Sequence, residues 1–109
     1  MGLFLGIIRR SQLKIMKSTY HWKLHLITQA KLVATKAASN LLQVGTDYEA
    51  DSLIAKKLQQ RQYKLKLLEE KLDQQKADIE TRLQAINEEL GSAEQMIGEG
   101  INNIAYKIA

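Results

Sequence analysis

Along the first forty-odd residues, apolar positions recur every three to four residues, the spacing of an amphipathic helix rather than a strand. At about 100° per residue, two stripes emerge. Phe4, Ile8, Ile15, Trp22, Leu26, Val33, Ala37 and Val44 form one. Leu13, Met16, Tyr20, Leu24, Ile27, Ala34, Ala38 and Leu41 form a second, roughly 100° away. Arg10, Lys14, Lys17 and His21 line the remaining face.

The stretch "QVGTDYEADS" interrupts this pattern. Gly45 suits the left-handed position just past a helix end. Thr46 and Glu49 have the T-x-x-E spacing of a capping box. Asp47, Glu49 and Asp51 would then be acids in a first helical turn, favoured by the dipole. The reading is helix 1 over about 3–44, a turn at about 45–47, and helix 2 over about 47–108, one hairpin domain spanning 1–109.

Helix 2 carries a single seam. Ile54, Leu58, Leu65, Leu68, Leu72, Ile79, Leu83, Ile86, Leu90, Ala93, Ile97, Ile101, Ile104 and Ile108 follow three-and-four spacing. Gly91 and Ser92 mark a weak point, because glycine lowers helix propensity and Ser92 with Gln95 offers a second cap. So short a turn makes the helices antiparallel neighbours. One helix covers one stripe, so the other stripe of helix 1 is left over.

Folding at this turn places residue n near residue 91 − n. Arg9, Arg10, Lys14 and Lys17 then face Glu69, Glu70, Asp73, Asp78 and Glu80, an intrahairpin charge match. Everything after about Glu88 has no intrachain partner on this register, yet it carries Ile97, Ile101, Ile104 and Ile108. Surplus apolar surface of this size implies a partner. The expected self-assembly interface comprises Leu3, Phe4, Ile7, Ile8, Ile15, Trp22, Leu26, Val33, Ile97, Ile101, Ile104 and Ile108.

Composition supports the helical reading. The 109 residues include no proline and no cysteine, so the strongest helix breaker is missing and no disulfide or thiolate chemistry is open. The net charge of +4 hides an asymmetry. Residues 1–46 hold seven Lys/Arg and no acid, whereas residues 69–99 hold nine acids against three bases.

The opening "MGLFLGIIRR" has its apolar residues before its positive ones, the reverse of a secretory signal, and is too short to span a bilayer. It reads as a hydrophobic knob between neighbouring subunits, with a membrane-surface wedge as the alternative. His21 and His25 have i, i+4 spacing without an acid or cysteine nearby, so they read as polar neighbours of Trp22 rather than metal ligands. The basic face of helix 1 lacks any base-reading motif, which disfavours nucleic acid. Without a catalytic constellation or phosphate loop, neither an enzyme nor a cofactor is expected.

The two-helix layout, the lack of cysteine and the apolar C-terminal segment "MIGEGINNIAYKIA" resemble small subunits of bacterial export appendages. These are the type III secretion needle and sheath-filament proteins and, more loosely, flagellar-export coiled-coil proteins. The resemblance implies a homopolymer packed through its two termini, reaching the cell surface or exterior by a route that needs no signal peptide; a cytoplasmic location is the alternative. The overall expectation is all-α: two long antiparallel helices assembling into a homo-oligomer or helical polymer, its partner a second copy of itself. A discrete coiled-coil adaptor binding another helical protein and a membrane-surface protein are the rival readings.

Overall fold

The computed structural model describes residues 2–46, 48–49 and 52–108. Two helices, α1 (Gly2–Gly45) and α2 (Leu53–Ile108), account for nearly all of them, and no strand occurs among the described residues. The fold is all-α, a helical hairpin with a coiled-coil-like seam. The contacts divide it into two compact units, Met1–Lys23 with Ile79–Ala109, and Leu24–Asp78.

In the first unit the helices run antiparallel. Leu3 lies against Gly100, Gly6 against Ile97, and Tyr20 beside Arg82. Leu13 is fully buried and forms a core with Ile86, Leu90 and Ala93, against which Tyr20 packs. Small residues permit this approach: a Cβ on Gly100 would meet the Leu3 backbone at 3.2 Å. In the second unit the helices are also antiparallel, with Gly45 near Leu58 and Lys31 paired to Asp73. Ala34, Ala55, Leu58 and Leu72 are buried there.

The helix 1 boundaries agree with the sequence reading to about a residue, but the link does not. Helix α2 begins at Leu53 rather than near 47, because Ser52 supplies the cap. Its Oγ accepts from the Ala55 N–H at 3.1 Å, and its carbonyl accepts from the Lys56 N–H at 3.1 Å. Thr46 turns the other way: its hydroxyl donates to the Gln43 carbonyl at 2.7 Å, closing the end of α1. The Glu49 carbonyl accepts from the Ser52 N–H. The expected Thr46–Glu49 capping box is therefore replaced by a C-terminal closure and a later cap. Gly45 ends α1 in helical conformation, and no described glycine has a positive φ. The acids Asp47 and Asp51 of the expected first turn lie outside the described residues.

The longer link resets the register. In the first unit residue n faces roughly 103 − n, as Leu3–Gly100 and Gly6–Ile97 show, instead of 91 − n. In consequence Leu90, Ala93 and Ile97 are buried rather than left overhanging. The weak point also disappears. Helix α2 runs unbroken through Gly91 and Ser92, and the Ser92 hydroxyl donates to the Glu88 carbonyl one turn back at 3.3 Å.

Candidate self-association surface

Helix α1 turns its second stripe inward. Leu13 and Ala34 are buried, while Tyr20, Leu24, Ile27, Ala38 and Leu41 are half-buried; Met16 is the exposed member. Two features on that side favour this choice. Gly6, Ala34 and Ala38 let the axes approach, and Arg9 and Lys31 project toward acids on α2. Each such pair is weak on its own, but two stripes of similar apolarity are separated by small differences.

The other stripe is left on the surface. In the first unit Phe4 (70% exposed), Ile8, Ile15 (66%) and Trp22 (62%) stand out. In the second unit Leu26 and Val33 (67%) are exposed in the same way. Of the remaining candidates, Ile7 is exposed and Leu3 is half-buried against Gly100. Ile97, expected at the interface, is instead buried within the chain: it packs beside Gly6 and only 6% of it is accessible. Beyond it, Ile101, Ile104 and Ile108 are exposed seam positions of α2.

The charge pairing is corrected along with the register. Arg9 bonds Glu89 at 2.6 Å, not an acid in the 69–80 region. Asp73 bonds Lys31 at 2.5 Å, not one of the N-terminal bases. Among the described residues Arg10, Lys14, Lys17, Glu69, Glu70, Asp78 and Glu80 form no ion pair within the chain. Glu69 does act on Lys31 at longer range, adding to Asp73, whose hydrogen bond and charge raise the Lys31 pKa.

Sequence reasoning missed Glu89, Lys31 and the Tyr20–Arg82 contact, and a correct register is the one signal that would have found them. Arg82 Nη1 donates to the Tyr20 hydroxyl at 3.1 Å, with its guanidinium carbon 5.9 Å from the ring centroid. The Lys23 ammonium lies 5.4 Å from the same centroid. The hydrogen bond from Arg82 is the largest influence on the phenol and lowers its pKa, with the positive charges of Arg82 and Lys23 acting in the same direction.

Beside the Arg9–Glu89 pair runs an open, mainly apolar groove lined by Leu5, Ile8, Gln12, Ser92, Ala93 and Met96. It offers few polar atoms to orient a small ligand. Among the described residues no three His, Cys, Asp or Glu side chains converge as a metal site, and no helix is long and apolar enough to cross a membrane. Comparison with protein families, with curated proteins and with solved structures finds no match to this chain.

Proposed function

We propose that this chain is a structural, self-assembling protein, a helical hairpin that serves as the subunit of a homopolymer. One observation carries the reading: after α1 has given one apolar stripe to α2, a second stripe, including Phe4, Ile8, Ile15 and Trp22, stays exposed. Exposed apolar surface is costly in water, and a contiguous row of large side chains marks an interaction face.

The first unit supplies another apolar surface in Ile101, Ile104 and Ile108. The two surfaces are unlike, one a stripe on the outside of a helix and the other an unfinished seam. Contacts between unlike surfaces are heterologous and propagate unless the rotation closes a ring. The two unlike surfaces, with the likeness to export-appendage subunits, support a filament or tube.

The test is direct. Negative-stain microscopy and sedimentation velocity of the purified chain at physiological salt should show fibres or large oligomers. Ile8→Asp with Ile15→Asp should leave a helical monomer by circular dichroism. A wild-type chain that sediments as a monomer across the accessible concentration range overturns the reading.

A further inference from the structure

The exposed row on α1 has a distinctive electrostatic frame. Ile8, Ile15 and Trp22 recur at heptad spacing, and all three are exposed. Lys14 precedes Ile15 and Lys23 follows Trp22, so each lies about 100° to one side or the other of the row. Both lysines are exposed, and no acid occurs anywhere in residues 1–46. The row is therefore bulky, apolar and bracketed by positive charge.

The outer face of α2 in the same unit has the opposite character. Gly91 and Gly98 are one heptad apart, exposed, and open enough that an added Cβ would meet nothing within 4 Å. They differ in this from Gly6 and Gly100, whose lack of a side chain is used by contacts inside the chain. Glu94 lies on one side of the Gly91–Gly98 line, and Glu88 and Glu99 lie on the other. All three carboxylates are exposed, and none forms an ion pair among the described residues.

Bulk on α1 thus matches open space on α2, and positive flanks match negative flanks. One chain cannot bring its own two faces together, because both point away from the seam that joins its helices. We propose that the Ile8–Ile15–Trp22 row docks on the Gly91–Gly98 face of a second copy of this chain, with Lys14 and Lys23 set against Glu88, Glu94 and Glu99 of that copy. Charge complementarity names the occupant: the exposed apolar row needs an acidic counterpart, and the chain itself carries one. Knobs entering a groove between charged flanks is the arrangement by which helices fix partner and register. This contact rests on the self-assembly reading and deepens it: it names the Gly91–Gly98 face as the one that receives the row, leaves the Ile101, Ile104 and Ile108 seam to a separate contact, and repeats from copy to copy because the two faces differ.

The experiment is a charge exchange on the full chain, read by sedimentation velocity at low salt. Lys14→Glu with Lys23→Glu, and separately Glu94→Lys with Glu99→Lys, should each weaken association by about tenfold or more while helicity persists. An equimolar mixture of the two variants should recover assembly, because each then offers the face that the other lacks. Wild-type assembly with unaffected exchange variants would overturn this contact yet leave self-association standing. A monomeric wild type would overturn both. A monomeric wild type that co-sediments with phosphatidylserine vesicles, and loses this with Lys14→Glu and Lys23→Glu, would assign the row to an anionic lipid surface instead.

Discussion

Gly6 lies so close to Ile97 that a Cβ added to it would sit 2.9 Å from the isoleucine Cγ1. No real side-chain carbon tolerates that distance, so the two helices meet here because residue 6 has none. Gly98, one position after Ile97, faces open space. The pair gives an opposed prediction. Gly98→Ala should raise the thermal stability of the hairpin by about 0.5–1 kcal/mol through helix propensity. Gly6→Ala should lower it by about 1–2 kcal/mol despite the same propensity gain, because overpacking dominates. Denaturant melts of the two variants check the sign.

Leu13 and Ile15 are two positions apart on α1 and have opposite fates. Leu13 is fully buried against Ile86, Leu90 and Ala93, whereas Ile15 is exposed. Leu13→Ala should cost about 2–3 kcal/mol, near the low end for core truncations because a thin hairpin can partly close the gap. Ile15→Ala should change monomer stability by less than about 0.5 kcal/mol. It should instead weaken self-association. Denaturation and sedimentation, measured on the same two variants, separate the roles.

Ser52 caps α2 through the Ala55 N–H, and Thr46 closes α1 through the Gln43 carbonyl. Ser52→Ala should lower stability by about 1 kcal/mol, and Ser52→Asp should retain most of it. Thr46→Ala, which removes no N-terminal cap, should cost less than Ser52→Ala. Equal losses would return the helix start to the Thr46 region. Amide exchange of residues 53–56 is the local readout, since fraying follows loss of the cap.

Alkaline titration should show two effects of opposite sign. The Tyr20 phenol, held below its ordinary value of 10.0 chiefly by the hydrogen bond from Arg82, favours the folded state above pH 10.0. That contribution fades as pH falls through the folded-state value. The Lys31 ammonium, held above 10.5 by its bond to Asp73, contributes below pH 10.5, and this is lost as pH rises through its folded value. Arg82→Gln should move one phenolate transition upward in ultraviolet absorbance. Asp73→Asn should remove most of the alkaline loss of stability that Lys31 contributes, because the ammonium then loses the partner that favours it in the folded state.

The helices themselves were legible from periodicity alone. The boundaries of α1 and most of the seam from Leu58 through Ile97 appear as the three-and-four spacing predicts, but Ile54 and Leu68 of the expected seam are exposed and Ala55 is buried. The side of α1 that would meet α2 was not legible, because Trp22 and Ile15 on one stripe are as apolar as Leu13 and Leu24 on the other. The decision rests on close approach at Gly6 and on where Arg9 and Lys31 find carboxylates, both of which require the register. The register in turn depends on the link, where Thr46 and Glu49 mimic a cap that Ser52 provides. A few residues of delay at that point moved the partner of Arg9 to Glu89 and covered Ile97.

The meeting of Leu3 with Gly100 has a practical corollary. Polypeptide fused behind the second helix would emerge about two helical turns beyond polypeptide fused ahead of the first, a gap that a short flexible linker spans. Halves of a split reporter attached at the two ends should therefore reconstitute on a single molecule, giving a fluorescent gauge of hairpin closure at concentrations too low for copies to associate.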